Sequence, residues 1–243
     1  MHSSQPHRRS RPALRAVGVL AAILLAGCSS GQKSAASPAD SAALLTAART
    51  SLAAASTVHF TLTSINVPTD GTRLVDGEGV IVRPKQFQGK LSILLGGNKV
   101  SVELISAGGQ VYAKLPFSNS FQVTDPSDFG LSDPAKLIDP TTGIARMFGE
   151  MTAVTNKGQL RVGNDVVTQL NGTLPGTLVD ALLTDADPAQ PVKTELYITQ
   201  DTHQLRRVVM TGPIYTKGVE STFNLLLDQY SAPATVTAPP TAK

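Results

Sequence analysis

Between residues 60 and 115 apolar and polar positions alternate with period two, in blocks separated by glycine and proline. Phe60, Leu62 and Ser64 alternate with Thr61 and Thr63. Leu74 to Val82 follows and ends before Pro84. Gln86 to Leu95 sets Leu91, Ile93 and Leu95 on one face, and Lys99 to Ile105 does the same with Val100, Val102 and Leu104. Such alternation predicts half-buried strands. Gly96-Gly97-Asn98 and Gly108-Gly109 predict tight turns, the second leading into a strand from Gln110 to Leu115, so the whole stretch reads as a five-stranded antiparallel meander. A second hairpin is predicted across Gly163-Asn164-Asp165, from Val154–Val162 to Val166–Leu174. Three strands close the pattern: Val192–Thr199, Gln204–Thr211 and Ser221–Tyr230.

Helical spacing marks the places where this alternation stops. Ser37-Pro38-Ala39-Asp40 carries an N-cap, a proline suited to the first turn and an acid three residues on, predicting a helix to about Ala55. Leu44, Leu45, Ala48, Leu52 and Ala55 share one face of it. From Asp125 to Pro140, four Asp and three Pro interrupt the β pattern. Asp133-Pro134 predicts a short helix carrying Leu137 and Ile138. Asp139-Pro140 ends it and starts another, with Ile144, Met147, Phe148 and Met151 facing the core. Leu178 to Leu183 reads as a further short helix after Pro175-Gly176. The order of elements predicts an α+β fold, a large antiparallel sheet with helices on one side, in one domain over residues 39–231.

The 243 residues include no Trp, one Cys and four His. The core must therefore come from aliphatic residues, and a disulfide framework or Cys-cluster metal site is excluded. The net charge of +3 originates in residues 1–27, which hold Arg8, Arg9, Arg11 and Arg15 and no acid. Without those four, 17 Lys and Arg face 18 Asp and Glu, a net of −1. A nearly neutral chain has no electrostatic basis for binding nucleic acid.

Ala16 to Ala26 is an uninterrupted run of apolar residues and glycine. At 11 residues it falls short of the roughly 20 that span a bilayer and matches the apolar core of a signal peptide. It ends in Leu25-Ala26-Gly27-Cys28, small residues before a cysteine, the pattern of a bacterial lipobox. Residues 1–27 are expected to be the signal peptide, Cys28 the acylated first residue, and 28–38 a small, polar tether to the cytoplasmic membrane. The Pro-, Ala- and Thr-rich residues 232–243 are expected to be disordered.

The segment Asp125 to Phe148, DPSDFGLSDPAKLIDPTTGIARMF, resembles the LppX/LprA/LprF/LprG group of mycobacterial lipoproteins, which share a DFG, DPA and DP-x-x-G series at this place. The resemblance extends to Val58-His59, the Leu91–Val102 hairpin, Asn164-Asp165, Leu196–Thr199 and His203-Gln204-Leu205. Tyr197 and Tyr230 stand where that group usually has Trp. The resemblance implies a curled, half-open antiparallel sheet over helices, enclosing an apolar cavity for multi-acylated lipids or glycolipids on their way across the cell envelope. It further implies a place on the extracytoplasmic side of the membrane and an export transporter as partner.

A lipid carrier must compete with a bilayer. At about 0.8 kcal/mol per buried CH2, withdrawing a 16-carbon chain costs on the order of 12 kcal/mol, which only an extensive dry interior offsets. Leu91, Ile93, Leu95, Val102, Leu104, Ile144 and Phe148 are the expected lining; pattern alone favours ordinary core packing for the same residues, and the resemblance reverses that preference. Gly77, Gly79 and Gly89 inside strands allow a bend.

Other readings have less to rest on. His59 reads as a structural residue at a strand edge, and His203 as part of a turn. Asp125, Asp128, Asp133 and Asp139 lack the spacing of a calcium loop and suit caps and turns. Asn171-Gly172-Thr173 is a short sequon. No nucleophile elbow, phosphate loop or dinucleotide fingerprint occurs, so no catalytic residue, metal or cofactor is expected. A filled-core lipoprotein serving as scaffold or accessory to a transporter is the alternative to a carrier. An enzyme acting on lipids would need a nucleophile paired with one of two histidines.

Overall fold

The computed structural model describes residues 38–240. Cys28, the signal segment, the tether and the expected cap Ser37 lie outside the described residues. Eleven strands form one antiparallel sheet in the order β6-β5-β4-β3-β2-β1-β11-β10-β9-β8-β7. β1 (Thr57–Ile65), β2 (Thr72–Val82), β3 (Gln86–Leu95), β4 (Asn98–Ala107) and β5 (Gln110–Lys114) form the meander that their alternation predicts. A two-residue β6 (Gln122–Val123) follows it at the edge. β7 (Thr152–Val162), β8 (Asp165–Leu174), β9 (Val192–Thr199), β10 (Leu205–Thr216) and β11 (Val219–Asp228) form a second meander. The pair β1–β11 joins the two, with Phe60 opposite Leu227 and Leu62 opposite Leu225. The first and last strands of the chain thus lie at the middle of an open sheet.

α1 (Pro38–Ala54) buries Leu45, Ala48 and Leu52 against the inner face of the sheet. Two further segments complete a cover over that face. The first, residues 126–151, consists of 3-10 turns at Pro126–Phe129, Pro134–Lys136 and Ile144–Arg146, then α2 (Met147–Glu150). The second, residues 176–187, begins with α3 (Gly176–Asp180). Helical turns begin with unsatisfied N–H groups, and Asp side chains at their starts accept from them. The Asp125 carboxylate accepts from the Ser127 N–H at 2.9 Å, Asp133 from Ala135 at 3.0 Å, and Asp139 from Thr141 and Thr142 at 2.8 and 3.0 Å. Those hydrogen bonds, joined by the Thr141 hydroxyl, hold the Asp139 carboxyl down at about 2.

Glycine shapes the middle of the sheet. Gly79 and Gly89 are opposite one another, and the Phe60 and Phe87 rings, 5.8 Å apart, stack over them. A Cβ on Gly79 would fall 2.6 Å from the Gln88 carbonyl oxygen, and one on Gly89 would fall 2.7 Å from the Phe87 ring. The absence of side chains lets strands and rings approach this closely.

The C-terminal segment departs from its expected disorder. Residues 232–240 hold no regular structure, as their prolines dictate, yet they are laid against the outer face of the sheet. Val236 is 2% exposed, packed with Ile105, Ala107, Val80 and Phe121. The Gln86 side-chain amide donates to the Val236 carbonyl at 2.9 Å, and the Thr57 hydroxyl donates to that of Ala232 at 2.5 Å. One buried valine and a few side-chain hydrogen bonds hold a segment that composition alone describes as unstructured.

Candidate functional site

The inner faces of the central strands and the two cover segments enclose an apolar cavity of about 90 Å³. Phe60, Leu62 and Leu74 approach it from β1 and β2, and Phe87 and Leu91 from β3. Val208, Met210, Phe223 and Leu225 approach from β10 and β11. The cover supplies Leu131, Leu137, Ile144 and Met147 from its first segment and Leu182 and Leu183 from its second. The polar exceptions are Ser132 and Asp133. Asp133 is occupied as a cap, and the Ser132 N–H donates to the Leu182 carbonyl at 3.2 Å, tying the two cover segments together. The interior is therefore suited to hydrocarbon.

Arg73 in β2 and Arg83 just after it fasten the cover to the sheet. Arg73 Nη1 donates to Asp185 Oδ2 at 2.9 Å, and Gly130, at φ 73°, packs against Asp185. At the far end of β2, Arg83 donates to the Ala55, Leu52 and Ile138 carbonyls at 2.8, 3.2 and 2.6 Å, joining α1, the sheet and the cover. Between them the Tyr215 hydroxyl of β10 donates to the Leu74 carbonyl and meets Ser64 Oγ at 3.1 Å. Burial pushes its pKa well above the ordinary tyrosine value.

Of the expected lining residues, Leu91 and Ile144 face the cavity. Ile93, Val102, Leu104 and Phe148 are buried in the surrounding core without lining it. Leu95 is a correction. Its alternation with Leu91 and Ile93 points it inward, yet it is 51% exposed. It is the last residue of β3, at the Gly96-Gly97 turn, where the strand ends and its side chain is left open to solvent. Most of the lining was missed by pattern. Phe60 and Leu62, or Phe223 and Leu225, show the required alternation, but their place at the centre follows only from the β1–β11 pairing.

Outside the cavity the polar clusters have structural partners. His59 Nδ1 lies 2.7 Å from Asp228 Oδ1 on the outer face, next to Arg206. His203, at φ 53°, sits in the β9–β10 turn. Tyr197 donates to Glu195 beneath the Arg207 guanidinium, and burial with that carboxylate pushes its pKa up to about 12. Asp128 accepts from the Thr124 hydroxyl at 3.4 Å, and the other three acids of its segment are caps. Among the described residues no three His, Cys, Asp or Glu form a metal-binding group, and no helix is long and apolar enough to cross a membrane.

Comparison with known proteins agrees with this architecture. The family model for the LppX_LprAFG lipoproteins matches residues 40–235. A curated relative from Mycobacterium tuberculosis H37Rv, named lipoarabinomannan carrier protein LprG, is 26% identical over 99% of both chains. Its counterpart from Mycolicibacterium smegmatis is 26% identical over 79% of this chain and 82% of its own. Among solved structures, LprF from Mycobacterium bovis superposes with a TM-score of 0.69 at 16% identity, over 84% of this chain and 99% of its own. LppX from M. tuberculosis superposes with a TM-score of 0.59 at 16% identity, over 83% and 100%.

Proposed function

Because the chain belongs to the LppX_LprAFG lipoprotein family, we propose that it carries multi-acylated lipids or glycolipids through the cell envelope. In this reading the acyl chains lie in the cavity between sheet and cover and the polar headgroup remains outside. The observation that carries it is the cavity lining, hydrocarbon on every side save Ser132 and Asp133. The relatives named as lipoarabinomannan carriers support a glycolipid cargo. Cys28 bears the membrane anchor on the extracytoplasmic face, and an export transporter delivers or receives the cargo. No covalent chemistry is assigned to the domain; it works by partition and shape.

The cavity volume adds a requirement. An engineered cavity of about 150 Å³ holds one benzene, so about 90 Å³ admits no long acyl chain. Loading therefore needs the cover to move away from the sheet. The same small volume is what the scaffold reading requires, a core that stays filled. Leu91 separates the two. Its side chain lines the cavity and sits against Gly77, where an added Cβ would be 2.4 Å from Leu91 Cδ2. Leu91→Trp fills the space that a chain would enter. The expected result is a loss of glycolipid binding of at least tenfold, measured by titration with a fluorescent acylated probe. Thermal stability should fall by no more than the overpacking cost of about 1–3 kcal/mol. Undiminished binding by a folded variant would place the chains elsewhere.

A further inference from the structure

Three of the exposed apolar residues lie at strand ends. Ile65 ends β1, Leu95 ends β3 and Val219 begins β11. The registers Ile65 with Thr222, Thr72 with Leu95, and Leu95 with Asn98 put these strand ends on one rim of the sheet. β5 runs in the direction of that rim and ends short of it, its last residue Lys114 opposite Glu103 in the middle of β4. Its loop continues with Leu115-Pro116-Phe117-Ser118, closed by a hydrogen bond from the Ser118 N–H to the Leu115 carbonyl at 2.9 Å. Phe117 at the tip is 98% exposed, while Leu115 is 44% exposed. Single exposed apolar residues are ordinary, but three of them on one rim, with a phenylalanine held out on a turn that projects from β5 toward it, mark a contact surface.

We infer that this rim is the surface on which the domain rests against a lipid bilayer, with Phe117 entering the acyl region. Three observations favour a bilayer over another occupant. Residues 28–37, between the expected anchor and the described domain, cannot reach beyond about 36 Å, roughly the width of a domain, so some face of it is always close to the membrane. The segment 115–123, LPFSNSFQV, holds no acid to be repelled by anionic headgroups and follows Lys114. The cover is pinned to this same rim by Arg73 and Asp185, with Gly130 packed against Thr72 and Asp185. A cavity whose cover loosens at the rim then opens toward the phase that supplies the lipid. Leu160 and Val166, also exposed, flank the β7–β8 turn at the opposite rim and serve as a control.

The inference takes its purpose from the carrier reading but is tested apart from it. The chain has no tryptophan, so Phe117→Trp introduces a single reporter at an exposed site, and Val166→Trp provides the matching control. Each variant is purified from membranes as the cell processes it and reconstituted into vesicles of phosphatidylcholine and phosphatidylglycerol with bromine-substituted acyl chains. On adding vesicles, Phe117→Trp should show blue-shifted, strongly quenched emission, and Val166→Trp emission unchanged from that without vesicles. Replacing Ile65, Leu95 and Phe117 together with Ser should lower vesicle transfer of lipid at least tenfold without changing the amount of lipid bound. Equal emission from both variants, or burial of the Phe117→Trp reporter only in a second copy or in a transporter, overturns the inference. Absence of bound lipid from a chain whose rim does insert overturns the carrier reading instead.

Discussion

The sheet and its cover line the same cavity yet are held together differently. The sheet is one ladder of backbone hydrogen bonds across eleven strands, and its glycines and rings interlock at Gly79, Gly89, Phe60 and Phe87. The cover has short turns, its caps are three aspartates, and it is fastened by Arg73 and Arg83. Deforming the sheet breaks many cooperative bonds, whereas lifting the cover breaks a few side-chain ones and uncovers apolar side chains such as Leu131, Ile144 and Met147. The cavity of about 90 Å³ lies between these two differently held walls.

A methyl group added to each wall breaks the comparison most severely. Gly79→Ala sets a Cβ 2.8 Å from Gly89 Cα and 2.6 Å from a carbonyl oxygen, both backbone. We expect a loss of about 3 kcal/mol in urea unfolding, the upper end of overpacking costs. Gly143→Ala, in the cover, sets a Cβ 2.1 Å from the Leu137 carbonyl oxygen. Its loss in global unfolding should be smaller, about 1 kcal/mol, with hydrogen exchange rising first in residues 133–147. A global collapse from the second and not the first reverses the assignment of walls.

A smaller effect sharpens it. Arg73→Met removes the partner of Asp185 in a pair whose side chains are 15% and 30% exposed. Partial exposure screens the pair, so the expected cost is about 1 kcal/mol, with faster uptake of an acylated probe in stopped-flow mixing. An unchanged uptake rate would mean that the fastening at this rim does not limit opening.

Acid has the smallest effect. The Asp139 carboxyl lies at about 2 in the folded chain against an ordinary 3.8. A depressed folded pKa contributes stability above pH 3.8 that disappears as pH falls toward 2. Exchange at Thr141 and Thr142 should therefore accelerate across that interval, beyond the intrinsic pH dependence, before the strands respond. Asp139→Asn should abolish the step.

The strands and caps were legible because both are local. Alternation at Leu91 and Ile93, or an Asp two residues before an N–H it accepts from, is written within a few positions. The cavity was legible only in part because its lining follows from pairings between distant residues. Phe60 meets Leu227 across 167 positions, and no window around either reveals it. Leu95 shows the converse: parity along a strand states which face a residue shares, but not whether anything covers that face. Val236 shows a third limit, since composition describes a segment's preference for regular structure and not whether one of its side chains finds an apolar notch.

A carrier must hold lipid in this cavity. Native mass spectrometry of the chain recovered from an actinobacterial membrane, followed by extraction, tests this most directly. The predicted result is a second mass species carrying one multi-acylated lipid per chain, absent from Leu91→Trp. A single lipid-free mass that persists after incubation with glycolipid vesicles would contradict it and leave a filled-core lipoprotein in its place.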